Sequence, residues 1–234
     1  MLVVLVLIVG CGGEGAGEEP LTVFAAASLT DVFQELAPGA RFNFAGSDEL
    51  ATQIREGARA DLYAAASPRY PAELHDEGLL EAPRVFATNR LVVVVPGVNP
   101  AGIASLGDLT REDVKLVIGA RGVPIGDYTR TVLAAAGRMD VLAQVVSEEE
   151  DVKGVLGKVR LGEADAGFVY ATDALAAGVA VRMIELPAAI QAEVRYAVAI
   201  IRSTERREDA EEFVDLLLSP RGQEPLREAG FASP

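Results

Sequence analysis

Apolar residues along this chain follow two alternating rhythms, short solid runs and stripes spaced three or four apart. Leu21 to Ala26 is a solid run opened by Pro20. From Ser28 onward the rhythm changes: Leu29, Val32, Phe33 and Leu36 repeat at helical spacing, with Thr30, Asp31, Gln34 and Glu35 between them. The pair predicts a buried strand feeding a helix, with Ser28 as the N-cap and Asp31 as a first-turn acid. The succession then returns. Arg41–Ala45 alternates as a strand and leads through Ser47 into a helix over about 48–56, closed by Gly57. Ala60–Ala66 leads through Ser67-Pro68 into a helix ended by Gly78. Strand and helix alternating at this spacing predict an α/β fold, an open parallel sheet with helices on both faces.

The second half repeats the theme after a long β-prone run, Asn89–Pro96, predicted to leave the first lobe. Lys115–Gly119 is a strand, and a helix over about 125–136 starts behind Pro124 and stops at Gly137. Val145-Val146 precede Ser147 and Glu150, which match a capping box for a helix through Val152, Val155, Leu156 and Val159, closing near Gly162. Ala166–Tyr170 is a buried strand with Thr172-Asp173 as the next cap. Glu193–Ile201 is a second long β-prone run, predicted to be the return crossing. A helix over about 205–218 and a short one from Pro220 to Gly230 close the chain. The predicted layout is two α/β lobes joined by two crossing strands, with 21–95 and 199–234 in lobe 1 and 96–198 in lobe 2. A helix N-terminus presents unpaired N–H groups and a partial positive charge, so repeated strand-to-helix junctions aim donors at whatever lies before them.

Ahead of the first strand, Leu2 to Val9 are all apolar and Gly10-Cys11-Gly12-Gly13 follows. The run is shorter than the roughly 20 residues that span a bilayer and fits the core of a secretory signal. Ile8-Val9-Gly10-Cys11 resembles a bacterial lipobox. That resemblance implies residues 1–10 as a lipoprotein signal peptide and Cys11, the only Cys, as the lipidated first residue of the mature protein. Residues 11–20, rich in Gly and Glu, are then a flexible tether. The protein is expected outside the cytoplasmic membrane, in the periplasm or at the cell surface, anchored by the lipid on Cys11 alone.

Charge and composition narrow the function classes. The net charge is −14, no Lys or Arg precedes Arg41 and no basic cluster follows, which argues against nucleic acid as a partner. His75 is the only His; Gly-x-Ser-x-Gly and the Gly-Lys-Ser/Thr of a phosphate loop are both absent. A nucleophile–His–acid triad or a His-rich metal centre has no residues to build it, so an enzyme is not expected. The four acids Glu148 to Asp151 read as a solvated helix start. Tyrosines 63, 70, 128, 170 and 196, without adjacent pairing, leave a ferric site as a minor alternative.

Several stretches together carry a family resemblance: Ala25-Ala-Ala-Ser-Leu-Thr-Asp31, Phe44-Ala-Gly-Ser-Asp-Glu-Leu50, Ala60-Asp-Leu-Tyr63, Asn89-Arg-Leu, Val123-Pro-Ile-Gly-Asp-Tyr128, Glu150-Asp-Val152 and Gly162 to Asp173, with Ser219-Pro220-Arg-Gly-Gln and Gly230-Phe231 near the end. Their order and spacing resemble the periplasmic substrate-binding proteins of molybdate ABC transporters over nearly all of 21–231. The resemblance implies a type II periplasmic binding protein fold that closes on molybdate or tungstate, with no cofactor. It implies a monomer that delivers the anion to an ABC permease. Carried over by motif, Ser28 and Ser47 donate from hydroxyl and backbone N–H, Ile125 and Val152 from backbone N–H, and Tyr170 from its phenol. Family members often have a small residue where Ile125 stands, a departure that bears on packing and closure. Asp48, beside Ser47, is expected to point along its helix. Sulfate or phosphate is the alternative anion.

Overall fold

The alternation of solid and striped runs builds two five-stranded sheets in the computed structural model, which describes residues 19–234. The expected signal peptide, Cys11 and most of the tether lie outside the described residues. The first lobe opens β1 (Thr22–Ala26), α1 (Thr30–Leu36), β2 (Arg41–Ala45), α2 (Ser47–Arg55), β3 (Leu62–Ala65), α3 (Arg69–Asp76) and β4 (Arg84–Asn89). The second holds β5 (Leu91–Pro96), β6 (Leu116–Gly119), α4 (Pro124–Ala135), β7 (Val145–Glu149), α5 (Val152–Arg160), β8 (Ala166–Tyr170), α6 (Ala171–Ala177) and β9 (Val181–Glu185). β10 (Val194–Ile200), α7 (Arg207–Leu218) and α8 (Pro220–Glu228) return to the first lobe.

The sheet orders are β2-β1-β3-β10-β4 and β7-β6-β8-β5-β9. In each, three strands run parallel and the strand next to them is antiparallel: β10 against β3, β5 against β8. The sheets are therefore mixed, not purely parallel, because the connecting strands enter each lobe from the opposite end. β4 and β5 are separated only by Arg90, yet β4 pairs with β10 while β5 pairs with β8 and β9. The passage between sheets falls at Arg90, ahead of the 95/96 division expected from the sequence, because every residue of Leu91–Val95 is already bonded and buried in the second sheet. The return falls between β9 and β10, ahead of 199, because β10 pairs with β3 and β4 along its length.

Two other expectations change. Ser147 does not cap α5; it lies in β7, where its hydroxyl donates to Glu149 Oε1 (2.5 Å). Asp151 is the cap, its Oδ1 accepting from Gly154 N (2.8 Å). Glu148 and Glu149 thus belong to an edge strand, where charge is tolerated, paired to Arg130 (2.5 Å) and Lys158 (2.8 Å). Thr172 and Asp173 sit inside α6 and are buried rather than capping it. The C-terminus packs on the first lobe. Phe213 meets Phe33 edge-on (5.5 Å between ring centres), Phe231 meets Tyr196 (5.2 Å), and Ala232 exchanges hydrogen bonds with Thr88.

Candidate ligand site between the lobes

In open α/β sheets ligands lie beyond the carboxyl ends of the strands, and here those ends meet. A cavity of about 220 Å³ including its mouth is lined by Ala26–Ser28, Ala45–Ser47 and Ala66 from the first lobe. From the second come Val123–Ile125, Asp151, Val152 and Tyr170. Ser28, Ser47, Ile125, Val152 and Tyr170 all line this one space.

Neither serine is the helix cap its position suggests. Ser28 lies within a 3₁₀ turn, Ala27–Leu29, and its Oγ stands 2.9 Å from the Tyr196 hydroxyl. Ser47 is the first residue of α2, with Gly46 at the cap position. Its Oγ accepts from Ala66 N (3.1 Å), and its carbonyl accepts from the Tyr63 hydroxyl (2.5 Å). Both side chains turn away from their own helices, Ser28 to Tyr196 of β10 and Ser47 to Ala66 just past β3. A backbone N–H can only donate, so the bond from Ala66 leaves the Ser47 proton free to point into the cavity.

The second lobe contributes two helix starts and a phenol. α4 opens with Pro124, and α5 opens with Val152 behind its Asp151 cap. The first-turn N–H groups of a helix, those of Ile125 and Val152 included, have no acceptor within it. α4 sits hard against the end of β6: a Cβ on Gly126 would collide with the carbonyls of Gly119 and Ala120, so this helix start needs glycine to approach so closely. Ile125 is itself buried, its Cγ2 lying 2.6 Å from where a Gly119 Cβ would stand, so the larger side chain is accommodated against glycine. Tyr170 ends β8 with 1% of its surface exposed, and its hydroxyl has no hydrogen-bond partner among the described residues. Burial holds its pKa well above the ordinary phenol value, so it is a neutral donor. An unpaired buried hydroxyl costs about 1–3 kcal/mol, which a ligand oxygen in the cavity would relieve.

No Lys or Arg lines the cavity among the described residues. Lys153, nearby, is engaged by Asp173 (3.2 Å) and Asp31 (3.3 Å); burial opposes its charge, but these two carboxylates keep its pKa above the ordinary value. Arg69 is held by Glu73 (2.9 Å) and Asp127 (3.4 Å). Asp48 has one buried carboxylate oxygen without a partner, and burial raises its pKa against the lowering by its own and the Glu49 N–H. The lobes are shut. The Tyr70 hydroxyl donates to Gly122 O, Arg69 and Lys153 each bridge to the opposite lobe, and the Gly46 Cα faces the Glu150 carbonyl.

The tyrosines are less scattered than their numbers suggest. Tyr170 and Tyr196 meet edge-on, 5.8 Å between ring centres. Burial pushes both phenols well above their ordinary pKa, so both are neutral. No group of three or more His, Cys, Asp or Glu suited to a metal occurs among the described residues.

Residues 21–232 match the model of the bacterial extracellular solute-binding protein family. The chain belongs to that family. A molybdate-binding protein of Mycobacterium tuberculosis is 37% identical over 97% of this chain and 93% of its own length. One from Haemophilus influenzae is 32% identical over 97% and 95%. The periplasmic molybdate-binding protein of Azotobacter vinelandii superposes with a TM-score of 0.82 at 21% identity, covering 92% of this chain and 99% of that one, which is the same two-lobe fold. A solute-binding protein carries its ligand as cargo and performs no reaction on it, so the cavity is a ligand site and not an active site. Tyr63, Ala66, Asn89 and Tyr196 support this solute-binding site, and the sequence reading did not single them out for it. Tyr63 and Asn89 stood in motifs of the family resemblance, and Tyr63 and Tyr196 among the tyrosines weighed for a ferric site; Tyr196 reaches Ser28 from 168 residues away, with no local signal for that contact.

Proposed function

We propose that this solute-binding protein captures molybdate, and tungstate with it, in the interlobe cavity and delivers it to the permease of an ABC importer. The observation that carries the reading is a cavity walled by helix starts and by Ser and Tyr hydroxyls, with no basic side chain. The two molybdate-binding relatives at 37% and 32% identity support it. In this reading Ser28, Ser47 and Tyr170 donate from hydroxyls, and Ser28, Ser47, Ile125 and Val152 from backbone N–H.

Neutral donors suit a receptor that must choose. A cationic pocket would hold any dianion, whereas fixed donors reward only an anion whose oxygens fall at their spacing. Sulfate has shorter bonds to its oxygens and cannot reach all the donors together. Charge-assisted hydrogen bonds are worth about 1.5–3 kcal/mol each, so five give roughly 8–15 kcal/mol before ordering and closure are subtracted, enough for micromolar or tighter binding. Helix dipoles supply the local positive field that a chain of net charge −14 otherwise lacks.

The test is calorimetry of the purified protein with molybdate, tungstate, sulfate and phosphate; sulfate binding as tight as molybdate would defeat the assignment. Membrane attachment through Cys11 belongs to the same proposal, supported by the lipobox-like Ile8–Cys11, and so does a monomeric state, which rests on the family resemblance. Among the described residues no helix is long and apolar enough to cross a membrane.

A further inference from the structure

The two cavity serines are fed differently. Ser47 Oγ accepts from a backbone N–H, which has no other role to play, so its own proton is committed to the cavity. Ser28 Oγ instead faces the Tyr196 hydroxyl at 2.9 Å, and either oxygen can donate. If Ser28 donates to Tyr196, its proton is lost to a ligand; if Tyr196 donates, the Ser28 proton is free. Something must decide.

Asn89 stands where it can. Its Oδ1 accepts from Arg90 N (2.9 Å), and because that N–H can only donate, the amide is fixed with its NH₂ on the other side. One amide proton goes to Thr172 Oγ1 (3.0 Å) in the second lobe. The second amide proton is spent on no other group among the described residues and is available to the Tyr196 hydroxyl, which an NH₂ can meet only as a donor. The backbone arranges this: Asn89 pairs with Val194 and Ala87 with Tyr196, so Asn89 and Tyr196 are diagonal neighbours on one face of the β4–β10 pair. A phenol oxygen that accepts from Asn89 keeps its own proton for Ser28.

We propose that Asn89 and Tyr196 are positioning residues for the ligand site, forming a one-way chain of hydrogen bonds from the Asn89 amide through the Tyr196 hydroxyl to Ser28 that commits the Ser28 proton to the cavity. Asn89 also sits at the passage between the sheets, with Thr172 on the other lobe, so the direction of the chain is set where the lobes meet. The proposal deepens the oxyanion reading and rests on it for the identity of the ligand, though not for the direction of the bonds.

The test is a pair of thermodynamic cycles read by molybdate calorimetry. Tyr196→Phe keeps the ring contacts with Tyr170 and Phe231 and deletes the hydroxyl. It should weaken binding about tenfold with Ser28 present and less than twofold in a Ser28→Ala background, with the anion-free melting difference the same in both. Asn89→Asp replaces the donor by an acceptor and reverses the chain. It should weaken binding about a hundredfold with Ser28 present, while its effect in the Ser28→Ala background measures charge repulsion alone and should be about tenfold smaller. Equal losses in both backgrounds would overturn the proposal and make Tyr196 and Asn89 packing residues only. A second arm needs no anion: in protein carrying ¹³Cζ-tyrosine, the Tyr196 resonance, identified by its loss in Tyr196→Phe, should shift in both Ser28→Ala and Asn89→Asp. A resonance unmoved by both substitutions would overturn it too. If molybdate fails to bind the wild type, the ligand assignment fails while the resonance still decides the chain.

Discussion

Tyr170→Phe separates a ligand donor from a structural hydroxyl with unusual clarity, because its two effects should have opposite signs. The hydroxyl is fully buried and has no partner among the described residues, so the anion-free fold gains nothing from it. The ring, by contrast, is held by its edge-on contact with Tyr196, which phenylalanine keeps. Removing an unpaired buried hydroxyl should leave the anion-free protein as stable as before or more stable by about 1 kcal/mol. For a protein of this size that is a rise in melting temperature of about 2–4 °C. The same change deletes a charge-assisted hydrogen bond to the anion, so affinity should fall by about 1.5–3 kcal/mol, roughly 10- to 150-fold. Calorimetric titration with molybdate and anion-free thermal melts on the same preparations measure both. A variant that melts lower and binds as tightly as wild type would refute the reasoning, since the hydroxyl would then be holding the fold and not the ligand.

Ser47→Ala should behave differently, losing about 1–3 kcal/mol of anion-free stability through the orphaned Ala66 N–H and also losing affinity; paired melts and titrations distinguish it from Tyr170→Phe. Gly46→Ala tests closure. A Cβ there would stand 2.5 Å from the Glu150 carbonyl of the other lobe, while the backbone at φ −58° accepts alanine, so the variant should hold the lobes apart: binding should weaken at least tenfold, and with molybdate present small-angle scattering should show a larger radius of gyration than wild type. Asp173 is raised by burial from 3.8 to about 6, with Lys153 only partly offsetting this. An acid with a raised folded pKa stabilises the fold while protonated and loses that advantage as pH climbs from about 4 to 6; at ~1.36 kcal/mol per pH decade this is about 3 kcal/mol. Asp173→Asn should remove that decline in denaturant titrations, and an identical slope in both proteins would contradict it. Cys11→Ser should move the protein from the membrane to the soluble fraction of expressing cells, and continued sedimentation would count against the lipid anchor.

How far the sequence could be read depended on whether a signal was local. The junctions at Ser28, Ser47, Pro124 and Tyr170 were visible because the apolar period changes there, and a change of period marks a strand end facing a helix start. What the serines do was not visible. Both looked like caps, and only tertiary partners, Tyr196 and Ala66, show hydroxyls turned elsewhere. The passage at Arg90 was hidden because Asn89 to Pro96 reads as one β-prone run, and a strand carries no mark of which sheet it joins. β9, with Arg182 and Glu185 exposed in five residues, was too polar at its edge to register. Ser147 and Glu150 fit the helix-start pattern, but the edge of a sheet tolerates the same acids, and pairing with β6 decided the matter.

The most direct test of the account is a crystal structure of the molybdate complex with an anomalous difference map recorded at the molybdenum absorption edge. The account predicts one strong peak in the interlobe cavity, its oxygens within hydrogen-bond distance of the hydroxyls of Ser28, Ser47 and Tyr170 and of the backbone N–H groups of Ile125 and Val152. A peak elsewhere, or one held by Lys153 or Arg69, would contradict it.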